Sequence, residues 1–275
     1  MMKIFESMGF NDFVALSALA VVAASCSVLE ERMACPCSLV VDYADVNDDV
    51  LRPTSDGMVY SLLYNPDCTQ DIMHKSASCP DYDTISCTKG DAVFSAIYTP
   101  SAVPLNSALK EIRYSVGTQV DSVYGGCEPL TLLEETEYVK VNLHKQFSTI
   151  NLIVKQEDTI MRHCNVTVLG RSCGYDVTSL SPIEGEYRHV LENDTSLVRS
   201  FRIPRQADCS LVLHVENPSD GRTFDFPLGE RLYGIGYDFD APDLSDFDFE
   251  IDLAWLTARI KVKDWGKEYL MEVYE

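Results

Sequence analysis

Apolar and polar residues alternate with a period of two along most of the chain. In "YVKVNLH" Val139, Val141 and Leu143 interleave with Lys140, Asn142 and His144. In "SLVLHVEN" Leu211, Leu213 and Val215 point away from His214 and Glu216. "FDFEIDL" sets Phe247, Phe249, Ile251 and Leu253 against Asp248, Glu250 and Asp252. "ARIKVKDW" sets Ile260 and Val262 against Arg259, Lys261 and Lys263. Successive side chains on a strand face opposite ways, so period two means one buried and one wet face. That pattern predicts antiparallel sheet, because parallel sheets are covered on both faces and read as continuous apolar runs. Further strands are expected at Leu39–Ala44, Met58–Tyr64, Ala92–Tyr98, Glu111–Gln119, Thr149–Lys155, Asn165–Leu169, Leu197–Ile203, Tyr233–Phe239 and Tyr269–Tyr274. Helical pattern is scarce: "PLNSALKEI" and "PLTLLEETE" each predict a short helix or turn.

Strands about ten residues apart with Gly, Pro, Asn and Asp between them read as β-sandwiches. Fourteen or so strands exceed one ordinary sandwich of roughly seven to nine, so the pattern predicts two in tandem. The expected division is residues 39–144 and 145–275, with the break after "YVKVNLH".

The first residues read differently. An apolar run from Phe13 to Ala24 follows Lys3 and ends in the small residues of "AVVAASC". About a dozen apolar residues fall short of the roughly 20 that span a bilayer. Length and small-residue ending are those of a secretory signal peptide, here residues 1–25. The small residues running up to Cys26 resemble the lipobox of bacterial lipoproteins, in which the cysteine thiol takes a diacylglycerol and the preceding bond is cut. On that reading residues 26–38 are a lipidated N-terminal segment. Several acyl chains on Cys26 anchor stably where one would not. The alternative is an ordinary cleaved signal with a cysteine at its border. Glu30 and Glu31 resemble a short surface-export signal of some Gram-negative lipoproteins.

Composition narrows the partners. The formal charge is -21, which excludes the basic footprint that nucleic-acid binding needs. Anionic lipid repels such a surface, so acyl chains would have to hold the protein to a membrane. Of 10 cysteines, Cys26 is assigned to lipid. Cys35, Cys37, Cys68, Cys79, Cys87, Cys127, Cys164, Cys173 and Cys209 remain as candidates for disulfides in an oxidising compartment, with pairing open. Cys164 with Cys173 and Cys79 with Cys87 have hairpin-like spacing. No Cys-x2-Cys pair occurs, so no structural zinc is expected.

Catalytic chemistry finds no purchase. There is no Gly-x-Ser-x-Gly elbow, no His-Glu-x-x-His and no phosphate-cradling glycine loop. His163 and Cys164 are neighbours and would face opposite ways on a strand. Neither enzyme activity nor a cofactor is expected. The acidic run "YDFDAPDLSDFDFEID" lacks an EF-hand spacing and reads as a solvated loop and strand face. Trp255 and Trp265 read as packing residues, and "NVT" and "NDT" as chance glycan acceptor patterns.

Four stretches then carry a resemblance. They are "ERMACPCSLVVDYADV" behind the lipobox, "YVKVNLHKQFSTINLIVK" with its basic joint, "GRSCGYDVTSLSPIEGEYR", and the ending "FDFEIDLAWLTARIKVKDW". Together, in this order, they resemble the FimB/Mfa-type fimbrial anchor subunits of type V pili. The resemblance implies two transthyretin-like sandwiches, an outer-membrane lipid anchor on the cell surface and a place at the base of a fimbrium. It implies a fimbrial shaft subunit as partner, joined by β-strand complementation. The last strand, "YLMEVYE", is the first candidate edge for that pairing. Shaft subunits of this type are matured by cleavage after an arginine; cutting at Arg32 would free this chain from its lipid, so Arg32 is expected to stay uncut. The alternative function is a surface sandwich lipoprotein that binds glycans or host ligands, or an accessory or tip subunit.

Overall fold

Twenty strands and one short helix make up the described part of a computed structural model, which covers residues 35–43, 58–65, 72–76, 81–100, 105–106, 110–157, 159–160, 164–191, 197–254, 257–263 and 267–272. The expected signal segment 1–25, Cys26, Arg32, Cys68, Cys79, His163, Asn193, Trp255 and Trp265 lie outside these residues. The strands are β1 (Pro36–Asp42), β2 (Met58–Tyr64), β3 (Ile72–Ser76), β4 (Tyr82–Thr88), β5 (Gly90–Thr99), β6 (Leu105–Asn106), β7 (Glu111–Arg113), β8 (Tyr124–Leu132), β9 (Thr136–Lys140) and β10 (His144–Lys145). They continue as β11 (Phe147–Gln156), β12 (Thr159–Ile160), β13 (Asn165–Asp176), β14 (Pro182–Leu191), β15 (Arg199–Pro204), β16 (Val212–Glu216) and β17 (Thr223–Phe226). After helix α1 (Leu228–Gly234) come β18 (Phe247–Asp252), β19 (Thr257–Val262) and β20 (Lys267–Glu272).

Four sheets form two face-to-face pairs. The first pair is β4-β1-β9 against β10-β8-β5-β2-β3. Leu39, Val41, Ile85, Phe94, Ala96 and Val139 fill the space between them. The second pair is β12-β11-β18-β19-β20, with β15 also on β11, against β17-β16-β13-β7-β6, with β14 also on β13. Its core holds Ile150, Leu152, Val166, Leu213, Phe226, Phe249 and Ile260. The all-β double sandwich expected from period two is the architecture observed.

Two of the described pairings, β1 with β9 and β11 with β18, are parallel, so the sheets are mixed rather than purely antiparallel. A parallel neighbour needs a long crossover, and here other strands fill each one, β2 to β8 between β1 and β9 and β12 to β17 between β11 and β18. Period two survives because each of these strands still buries only one face: β1 reads exposed-buried-half-buried in turn, and β18 alternates buried phenylalanines with half-buried acids.

Where alternation fails, packing explains it. The distal half of β5 is buried on both faces: Phe94, Ala96 and Tyr98 face the first core while Ile97 faces the second. Leu62 and Leu63 of β2 divide in the same way. One sheet thus serves both sandwiches. The stretch 105–123 also crosses over, because β7 pairs with β13 before the chain returns in β8. Residue Gly174 is required there: a Cβ on it would sit 1.9 Å from the Ile112 carbonyl oxygen.

One local expectation is overturned and two are narrowed. Residues of "PLTLLEETE" form the end of β8, a tight turn and the start of β9, not a helix. "PLNSALKEI" contributes strand residues at both ends. Conversely, Tyr233–Phe239 is no strand. Leu228 and Leu232 of α1, one helical turn apart, are both buried, and Gly236 with φ 85° turns the chain out of the helix. Helical spacing at 228 and 232 outweighs the apparent alternation that follows it.

Phe226 and Phe249 stack with centroids 4.9 Å apart, tying the two sheets of the second sandwich. Truncating the fully buried Phe249 in Phe249→Ala is expected to cost about 3–5 kcal/mol in chemical unfolding, whereas Val190→Ala, at an exposed position, costs under about 1.

Candidate functional site

The seven described cysteines, Cys35, Cys37, Cys87, Cys127, Cys164, Cys173 and Cys209, all carry thiols. A Cys164–Cys173 bridge is ruled out. Cys173 lies within β13 and Cys164 directly precedes it, so nine residues of extended chain part them by about 30 Å, far beyond disulfide reach. What looked like hairpin spacing is one long strand. Cys127 donates to the Thr178 carbonyl oxygen at 2.5 Å. Cys37 and Cys87 instead stand opposite each other across β1 and β4.

The acidic run is not merely a solvated face. Asp243 accepts from the Lys145 amide at 2.7 Å and meets His144 Nδ1 at 3.0 Å. Asp246 accepts from the Lys145 ammonium at 2.5 Å and from the Thr149 amide at 2.6 Å. Asn151 donates to Asp248 at 2.8 Å, and Glu250 pairs with Lys155 at 2.8 Å. Four acids thus latch the 243–250 stretch onto residues 144–155, the strip that joins the sandwiches. Alternation placed Asp248 and Glu250 on the outer face correctly; their partners come from β11, the parallel neighbour, which sequence could not supply.

Beneath this latch lies a polar node. Gln146 is buried between β10 and β11, and its amide donates to the Val123 carbonyl oxygen at 3.0 Å. Its Nε2 donates to the His144 carbonyl oxygen at 3.1 Å, and its Oε1 accepts from Arg205 Nε at 2.9 Å. Tyr175, fully buried on β13, donates its hydroxyl to the Gln146 carbonyl oxygen and accepts from the Arg205 amide at 3.1 Å. The Arg205 guanidinium also donates to the carbonyl oxygens of Phe239, Ala241 (2.8 Å) and Pro242 (2.9 Å). All four side-chain partners are neutral oxygens. Burial lowers the Arg205 pKa from its usual value, and Tyr175 and Asp240 oppose that fall. Burial likewise drives the Tyr175 hydroxyl well above its ordinary range. Sequence reasoning missed Arg205, Tyr175 and Gln146 as a unit: no spacing links them, and only "HKQ" was marked, for its charge.

A cleft of about 530 Å³ opens beside the node, lined by Cys127, Lys140, Asn142, His144, Leu180 and Asp240 among others. Close backbone approach shapes it: a Cβ on Gly126 would sit 2.2 Å from the Asn142 carbonyl oxygen.

The sheets also present open edges. The order β4-β1-β9 recurs as β15-β11-β18: in each, the middle strand is antiparallel to one neighbour and parallel to the other. In the second sandwich β19 and β20 extend the sheet beyond β18. In the first, no described strand pairs with the outer side of β9, and Tyr138 on it is 75% exposed. β20 likewise ends the order of its sheet, with Leu270 67% exposed. Unpaired backbone groups on such edges are templates for another strand. Lys140 and Glu137 on β9 are charges that discourage indiscriminate pairing.

No family model matches the chain, and no curated protein matches its sequence. Solved structures do share its fold. A candidate adhesin from Bacteroides thetaiotaomicron superposes with a TM-score of 0.60 at 12% identity, over 86% of this chain and 97% of that one. Candidate polysaccharide-binding proteins from the same organism give 0.58 at 13%, over 87% and 99%. The fimbrial anchor protein Mfa2 from Porphyromonas gingivalis gives 0.56 at 10%, over 87% and 100%. The fold that the resemblance implied is thus the fold observed, shared along nearly the whole length of these proteins.

Removing the guanidinium in Arg205→Met leaves several buried oxygens without donors and is expected to cost about 3 kcal/mol in urea unfolding. Arg205→Lys recovers only part of it, because one ammonium cannot span the fork. A pH effect is expected from Asp176. Burial by itself would raise its carboxyl pKa, but hydrogen bonds from the Thr178 and Ser179 hydroxyls and amides hold it below the usual range. Its stabilisation is therefore present above the unfolded value near 3.9 and lost as pH falls through the lower folded value. Thermal melts of Asp176→Ala should lie below those of the parent at pH 6, and the gap should close as pH drops below about 3.9.

Proposed function

We propose that this chain is a fimbrial subunit tethered to the outer membrane by lipid on Cys26, and that it joins the first shaft subunit of a fimbrium through an open sheet edge. The observation that carries the reading is the lipobox-like "AVVAASC" placed directly ahead of a double sandwich whose fold matches a fimbrial anchor protein along its whole length. The other features support it. Only about ten residues part Cys26 from β1, so the tether enters the first sandwich at the start of its central strand. The latch and the Arg205–Gln146 bond tie the second sandwich to the joining strip, which suits a link that transmits tension between membrane and filament. The edge of β20 offers main-chain groups to an incoming strand, with Leu270 available to fill a pocket on the partner. Enzymatic activity has no part in this reading.

In cells fed an alkynyl palmitate, the parent chain should become labelled and Cys26→Ser should stay dark. Cells carrying Cys26→Ser should release fimbriae into the medium while the protein itself melts as before. Retention of fimbriae at the parent level by a dark Cys26→Ser chain would remove the anchor role.

A further inference from the structure

We infer that Cys37 and Cys87 form a reversible disulfide that clasps β1 to β4 at the membrane-proximal start of the first sandwich. The argument rests on strand register. Cys37 pairs directly with Cys87 in the antiparallel ladder, and both side chains face inward, Cys37 buried and Cys87 half-buried against the first core. The Lys89 amide donates to the Cys35 carbonyl oxygen at 3.0 Å and the Tyr43 amide to the Asp81 carbonyl oxygen at 2.9 Å. Counting in steps of two from either bond makes Cys37–Cys87 a hydrogen-bonded pair, with Cα atoms about 5.5 Å apart. That lies within the disulfide range of about 4.4–6.8 Å. The Cys87 thiol already points across the ladder, donating to the Cys37 carbonyl oxygen at 3.5 Å.

Register also excludes the nearest competitor. Cys35 shares the inward face but stands diagonal to Cys87, where side chains start about 7–8 Å apart. Cβ atoms in a hydrogen-bonded pair sit near 5.5 Å, and a disulfide needs about 3.5–4.5 Å. Closing the bond therefore draws β1 and β4 together by about 1 Å. Strain of that kind makes a disulfide easier to reduce, so this one belongs to the labile class. Burial, and then the neighbouring Cys37, pushes the Cys87 thiol up to about 12, which makes it slow in exchange.

The oxidant is a small or protein disulfide, R–S–S–R. Exchange breaks its S–S bond, forms the Cys37–Cys87 bond and releases two R–SH, which carry off the two electrons and both thiol protons. A pocket of about 120 Å³ lined by Cys87, Leu63, Asn65 and Leu132 gives access beside the sulfur. The bond closes a loop of 50 residues and ties the strand that follows Cys26. Its protection of β1 against peeling under load rests on the proposed tether; the bond itself does not.

The test is peptide mapping of the unaltered purified chain after equilibration in oxidised against reduced glutathione, alkylation and non-reducing trypsin digestion. Cleavage after Arg32, Lys75 and Lys89, with the Arg52–Pro53 bond resistant to trypsin, leaves Cys35, Cys37 and Cys68 in one peptide and Cys79 with Cys87 in another. The expected result is a cross-link between these two peptides, with fragment ions placing it at Cys37 and Cys87. The oxidised chain should melt about 5 °C above the reduced one, a gap kept in Cys35→Ala and absent in Cys37→Ala and Cys87→Ala. Full alkylation of both thiols after oxidation, or a bond placed at Cys35, Cys68 or Cys79, overturns the inference. Either result leaves the palmitate experiment unaffected.

Discussion

A buried guanidinium whose hydrogen bonds all go to neutral oxygens is the constraint on which the junction depends. Arg205 is 7% exposed and cannot shed its charge at any ordinary pH. Leaving water is costly for it, and the loss is recovered only if every donor finds an oxygen in the right direction. Four oxygens do so: one from the strip that joins the sandwiches and three from the 239–242 loop. The Gln146 bond is the member of this set that ties the second sandwich to the joining strip. Tyr175 closes the circuit from β13, so both sheets of the second sandwich are referred to the same point.

The acidic surface acquires a purpose near that node. A chain with a charge of -21 repels itself, and crowding acids in "YDFDAPDLSDFDFEID" would worsen the repulsion if they stood alone. Asp243, Asp246 and Glu250 instead meet Lys145, His144 and Lys155. Cations flank the acids on both sides, Lys145 and Lys155 on the joining strip and β11 and Arg259 and Lys261 opposite them on β19, so attraction there offsets the repulsion. Exposed pairs of this kind contribute little singly. Lys145 and Asp246, each less than a third exposed and braced by the Thr149 amide, hold the better-protected member of the set.

The two sandwiches repeat a three-strand motif and then diverge. Each centres on a strand with one antiparallel and one parallel neighbour. In the second sandwich the sheet grows by β19 and β20, while among the described residues the first ends at β9. The open edges therefore arise from where each sheet stops. The thiol pair at the start of β1 lies in the same motif, on the side away from β9. The proposed clasp and the open edge of β9 thus occupy opposite flanks of one small sheet.

Much of the fold was present in the one-dimensional pattern. Phe247, Phe249 and Ile251, or Leu211, Leu213 and Val215, alternate because a half-buried strand allows nothing else, so strand class and inward faces follow from local order. The cysteine behind an apolar run is likewise a local signal. What needed tertiary structure is everything that depends on which strands become neighbours. Register alone brings Cys37 to Cys87 and takes Cys164 away from Cys173, though the spacing suggested the reverse. β5 is buried on both faces because a second sandwich lies against it, and Glu250 is paired because β11 happens to run parallel beside it. Arg205, Gln146 and Tyr175 carry no mutual spacing, since a hydrogen-bond node between distant segments leaves no period in the chain. Short-range sterics and solvation are written in sequence order; long-range pairing is a property of the folded surface.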